Sequence, residues 1–134
     1  MGNFYGNVVL PESTNPSDEA AVLESVKSIL EPHVPGEDEC FPFSFYFVVE
    51  KEWYSGIGSL EDDFPDAIAG SGLVIVPVKS LLKAEEPYVF ITPDSEWNQS
   101  GSTYTSIDVG WRRRFHELAE PYKELLSAVV YFKC

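Results

Sequence analysis

Phe41, Phe43, Phe45, Phe47 and Val49 alternate with Ser44, Tyr46, Val48, Glu50 and Glu52. A period of two held over that many residues commits the stretch to an extended strand, because successive strand side chains leave opposite faces. The pattern predicts a phenylalanine face turned to a core and a second face that carries Glu50 and Glu52 to solvent. Trp53 continues in phase with the phenylalanines and is expected in the same core.

The flanking sequence supplies partners for such a strand. Asn3 to Leu10, closed by Pro11, reads as a first strand. Asn15 can cap a helix with Pro16 at its first position, and Val22, Leu23, Val26, Ile29 and Leu30 recur at helical spacing, so a helix is predicted over 16–31. Pro32, Pro35 and Gly36 stop it. Ser55 to Gly72 is rich in glycine and acids and reads as surface loop. Leu73 to Val78 forms an apolar strand, which Pro77 places near an edge.

Pro87 to Thr92 and Thr103 to Val109 read as a hairpin with a long tip from Pro93 to Ser102. A final helix is predicted after Asp108, with Trp111, Phe115, Leu118, Ala119, Tyr122, Leu125 and Leu126 on one face and a kink at Pro121. Val129 to Phe132 then closes the chain as a strand. The sum is one α+β domain over 1–134, a mainly antiparallel sheet of four to six strands covered by two helices. A length of 134 residues with 44% hydrophobic and 14% aromatic content suffices for a core without metal or disulfide staples.

Charge narrows the function. Residues 1–67 hold 14 acids against Lys27 and Lys51, a net of −12, and 68–134 hold 8 acids against 7 bases, so nearly all of the net −13 lies in the first half. A field of that sign disfavours direct nucleic-acid and anionic-lipid binding and steers basic partners to the surface. The N-terminus lacks the basic start and apolar run of a signal peptide, and no stretch of about 18 apolar residues is present to span a bilayer. Cys40 and Cys134 form neither a C-x-x-C pair nor a disulfide framework, so reduced thiols and a cytoplasmic location are expected.

Chemical motifs are sparse. Glu50 and Glu52 have the spacing of paired carboxylates on one strand face, but nothing corroborates a catalytic role, and a solvated face explains them. Glu61, Asp62, Asp63 and Asp66 supply oxygen ligands without EF-hand spacing. His33 and His116 have no partner at metal or triad spacing. Gly56-Ile57-Gly58 does not extend to a nucleotide-binding glycine motif, and Gly70-Ser71-Gly72 is not a nucleophile elbow. No cofactor is implied.

Two groups remain. Arg112, Arg113 and Arg114 oppose the macrodipole at a helix start, where free amides and guanidinium groups together suit a phosphate or carboxylate. Trp97, surrounded by polar residues, is either an exposed interface anchor or folded back onto the domain.

The expected function is therefore a non-enzymatic acidic binding protein that neutralises a basic protein partner, as immunity-type toxin inhibitors and nucleic-acid mimics do. Glu37, Asp38, Glu39, Glu61, Asp62, Asp63 and Asp66 would steer and pair with the target, and Trp97 would supply contact area. The alternatives are an anion-binding enzyme or small-ligand binder at Arg112 to Arg114, with Glu50 or Glu52 as acid or base, and a structural or assembly subunit.

Overall fold

A computed structural model of the chain describes residues 3–36, 42–84, 86–103 and 105–133. The strands are β1 (Asn3–Val9), β2 (Phe45–Val48), β3 (Ile75–Pro77), β4 (Val89–Ile91), β5 (Trp97–Gln99) and β6 (Leu126–Lys133). The helices are α1 (Glu19–Leu30), α2 (Lys51–Ser55), α3 (Leu60–Asp63), α4 (Val78–Leu81) and α5 (Trp111–Ala119). The α+β class holds: one mixed sheet runs β2-β6-β1-β4-β5, with β3 also on β6, and among the described residues only β1 and β4 pair in parallel.

β6 is the spine of the sheet. One edge pairs antiparallel with β1 from Asn3↔Lys133 to Val9↔Ser127. The other edge is shared, because β2 covers its C-terminal half and β3 its N-terminal half. The two meet at Val129, whose carbonyl accepts from the Val49 N–H (2.9 Å) and whose N–H donates to Val74 (3.0 Å). Val74 closes the exchange by donating to Val49 at 2.8 Å, so no backbone group is orphaned where one partner strand hands over to the next.

Alternation along β1 and β6 sorts the core into two faces. Val8, Leu10, Val89, Ile91, Ala128, Val130 and Phe132 pack against Val22, Val26, Ile29 and Leu30 of α1. The opposite face is divided between α5, whose Phe115 and Ala119 cover Val9 and Phe90, and the α2–α3 segment, whose Tyr54, Leu60 and Phe64 lie over Val49, Val74, Val76 and Val129. The sheet is thus covered on both sides, and Leu81 of α4 packs against both clusters of the second face.

Several sequence expectations shift for identifiable reasons. The 41–49 run does not present one phenylalanine face. Phe43 joins Tyr46 and Val48 on the α1 side, Phe47 and Val49 lie on the other, and Phe45 is 49% exposed. Both faces of this sheet are covered, so alternation alone did not say which was inside. The chain turns into α2 after Glu50, which puts Trp53 on a helix, 37% exposed, with its ring edge-on to Phe47.

α1 starts at Glu19 rather than near Pro16, because the Asp18 carboxylate accepts from the Ala21 N–H at 3.2 Å and Asn15 closes the preceding turn instead. The hairpin partner of β4 is Trp97–Gln99, not Thr103 to Val109. Ser95 with φ 69° closes a short turn in which the Thr92 and Ser95 N–H groups donate to Glu96 and Thr92 carbonyls. The last helix stops at Ala119, Pro121 sits in a 3-10 turn, and Leu126 already belongs to β6.

Candidate functional site

Between α2–α3 and the segment running from α4 toward β4 lies a cleft of about 590 Å³ on the sheet face opposite α1. Its floor is the sheet itself, with Asn7 of β1, Val76 of β3 and Val129 of β6. Tyr5, Tyr54 and Phe64 give it aromatic walls. Asp63 and Asp66 stand at its rim with Ser80, Lys83, Ala84 and Glu86 from the α4 side.

Local sequence explains how α3 presents its acids. Ser59 caps the turn by accepting from the Asp62 N–H at 3.3 Å, and Glu61, Asp62 and Asp63 occupy the first turn, where carboxylates complement the helix dipole. All three are exposed, as is Asp66 in the turn that follows. Asp63 is further held by the Tyr54 hydroxyl, which donates to its Oδ2 at 2.5 Å. Burial, the bond to Asp63 and the negative charge beside it push the Tyr54 phenol up to about 12. Tyr5 is raised in the same direction, first by burial and then by Tyr131 and Asp63.

On the floor, Asn7 is 6% exposed. Its Nδ2 donates to Ser127 Oγ at 3.1 Å, and Ser127 Oγ donates to the Val76 carbonyl at 3.2 Å. This directed chain uses the donor end of the carboxamide. Oδ1 has no protein donor among the described residues and belongs to a side chain that lines the cleft.

Of the acids expected to meet a partner, Glu61, Asp62, Asp63 and Asp66 are thus brought together on one short segment beside the cleft. Glu37, Asp38 and Glu39 lie outside the described residues, as do Cys40 and Cys134. Glu50 and Glu52 do not share a strand face. Glu50 bridges to Leu73 and precedes α2, whereas Glu52 is in the first turn of that helix. The His33 Nε2–H donates to the Ser95 carbonyl at 2.6 Å. His116 Nε2 is buried without a hydrogen bond among the described residues. No group of three metal-ligating side chains occurs among the described residues.

Trp97 is folded back rather than exposed. Its ring stacks on Phe43 with centroids 5.8 Å apart, meets Phe132 edge-on at 5.3 Å, and lies 5.4 Å from His33. Its indole N–H donates to Gln99 Oε1 at 3.0 Å. The half-buried indole therefore finishes the α1-side core at the β5 edge.

The arginine misfit also has a local answer. Asp108 stands just before α5 and accepts from Arg114 at 2.5 Å and from the Gly101 N–H at 2.8 Å, which holds its carboxyl down at about 2. A carboxylate there complements the helix dipole that the arginines oppose. Arg112 pairs with Glu86 at 3.0 Å and Arg113 with Glu117 at 3.5 Å. Each guanidinium is directed to a different carboxylate, so the three do not converge on one anion.

Sequence reasoning missed Tyr5, Asn7, Tyr54, Ser80 and Lys83 as lining residues. One signal was available: Asn7 stands in phase with Tyr5 and Val9 in a strand whose other face is apolar, a polar residue at an inward position. Comparison with family models, with curated proteins and with solved structures finds no match for this chain.

Proposed function

We propose that this chain is an acidic binding protein that masks a basic protein partner, in the manner of immunity-type inhibitors or nucleic-acid mimics, and that α3 with the turn through Asp66 is the docking rim. The observation that carries the reading is the clustering of exposed Glu61, Asp62, Asp63 and Asp66 on one short segment, with Asp63 and Asp66 lining a cleft, in a chain of net charge −13. Lys83 is the cation on that rim, and Glu86 is already paired with Arg112. Electrostatic steering of a basic target follows from such an excess, with strong salt dependence. A cytoplasmic setting suits this reading.

The anion-binding alternative has less support, because Arg112, Arg113 and Arg114 already have separate carboxylate partners. The assembly-subunit alternative is separated from both by the oligomeric state in light scattering.

The test is capture of a partner from lysate of the cells the protein comes from, followed by calorimetry with the purified partner. Wild type is compared with a variant carrying Glu61→Lys, Asp62→Lys and Asp66→Lys. One basic protein held at low salt, released at high salt and lost by the variant is the expected result. Unchanged binding by the variant, or the absence of any basic protein among those retained, overturns the reading.

A further inference from the structure

We infer that the cleft between α3 and the segment running from α4 into β4 receives an arginine side chain presented by the basic partner. The inference rests on the binding reading above and assigns the chemistry of its central contact.

Two independent features meet in the cleft. At its rim, Asp63 and Asp66 supply negative charge, and the Tyr54 hydroxyl fixes Asp63 through Oδ2, leaving its second oxygen to accept elsewhere. At its floor, Asn7 sits mid-strand between Val129 of β6 and Phe90 of β4, a register position that packing alone would fill with an apolar residue. A carboxamide retained there, with its donor end committed to Ser127, leaves an acceptor lining the cavity.

Acceptors at two depths, walled by the rings of Tyr5, Tyr54 and Phe64, suit a guanidinium better than an ammonium. The guanidinium is planar, stacks on aromatic faces, and carries five N–H donors in a fixed fork able to serve separated oxygens. It is also more weakly hydrated, so it enters a partly apolar cleft more readily. A volume of about 590 Å³ admits the side chain together with part of the segment that bears it.

The experiment is a titration of the labelled protein with N-acetyl-arginine amide, followed through the Asn7 side-chain amide and the Tyr5 and Tyr54 ring signals. N-acetyl-citrulline amide, the uncharged isostere, and N-acetyl-lysine amide serve as comparisons. Saturable shifts at Asn7 with arginine are expected, weaker by about tenfold with citrulline for the loss of a charge-assisted contact. Ala84→Trp fills the mouth at an exposed position and should abolish them in a protein that still folds. Asn7→Val should weaken arginine binding while it removes the buried polar floor.

Equal shifts with citrulline, stronger binding of lysine, no shift at Asn7, or full binding by Ala84→Trp overturns the inference. If the purified partner nevertheless still loses affinity on charge reversal at Glu61, Asp62 and Asp66, the inference fails alone. If that dependence is missing too, the binding reading fails with it.

Discussion

The Tyr54 hydroxyl donates to Asp63 Oδ2 at 2.5 Å and ties the short helix that carries the acidic residues to the one that covers Phe47. The phenol is pushed up to about 12, chiefly by burial and then by that bond. A group whose folded pKa is raised contributes stability that is fully present below its unfolded value, about 10, and is lost as pH rises through the folded one. The stability difference between wild type and Tyr54→Phe should therefore be constant up to about pH 10 and shrink toward pH 12. Tyr5 and Tyr46 are also raised, so tyrosinate absorbance should show several late-ionising phenols, of which Tyr54→Phe removes one. An undiminished late amplitude in the variant would place that step on another tyrosine.

Gly58 guards the same contact. A Cβ there would stand 3.1 Å from Tyr54 Cε1 and 3.2 Å from Asp63 Oδ2. Gly58→Ala should push the pair apart and return the Tyr54 phenol toward its ordinary value, at a cost of roughly 1 kcal/mol in denaturant unfolding. At Gly56 the nearest atom, the Trp53 carbonyl oxygen, lies 3.4 Å away, so Gly56→Ala should leave the tyrosine titration as it is.

Asp108 organises the loop before α5 by accepting from Arg114, Gly101 and Gly110. The Arg114 bond, followed by the Gly101 N–H, lowers its carboxyl to about 2. A depressed folded pKa contributes stability that is present above the unfolded value of about 3.9 and is lost as pH falls through the folded one. Asp108→Asn should thus flatten the part of the acid-unfolding profile between about pH 4 and pH 2. It should also speed amide exchange at Gly101 and Gly110. An unchanged acid profile would mean that other carboxylates set it.

At Gly6 the limit is space between central strands. A Cβ would lie 3.0 Å from both Phe132 Cε2 and Val89 Cβ and 3.1 Å from the Val89 carbonyl oxygen. Phe132 is fully buried and Val89 belongs to the paired strand β4, so neither can yield cheaply. Gly6→Ala should cost about 1–3 kcal/mol of stability by denaturant unfolding. A neutral substitution would show that β1 and β4 can separate slightly without loss of pairing.

Periodic signals in the sequence translated well where one face was covered by one element. Val22, Val26, Ile29 and Leu30 fixed the buried stripe of α1, and Trp111, Phe115 and Ala119 that of α5. They failed where both sheet faces are covered, as at Phe43 to Val49, because alternation between two apolar sides does not identify an inside. The hairpin was misplaced for another reason: Ser95 adopts the left-handed conformation that turn composition usually signals through glycine or asparagine. The acids of the candidate site were legible from charge alone. Its floor was not, because the chain Asn7, Ser127, Val76 joins residues from three strands far apart in sequence.

Trp97 separates a stabilising role from a binding one. Its ring contacts Phe43 and Phe132, both fully buried, and it covers the end of the α1-side core where β5 forms the sheet edge. A half-buried indole of this kind should cost about 2 kcal/mol when truncated to Ala, less than a fully enclosed one. The acidic rim at α3 lies over the opposite face of the sheet. Trp97→Ala should therefore lower the denaturation midpoint while leaving the refolded variant with the salt-dependent affinity proposed for a basic partner. The reverse result, unchanged stability with partner binding lost, would make Trp97 an interface anchor and move the docking surface to the β5 edge.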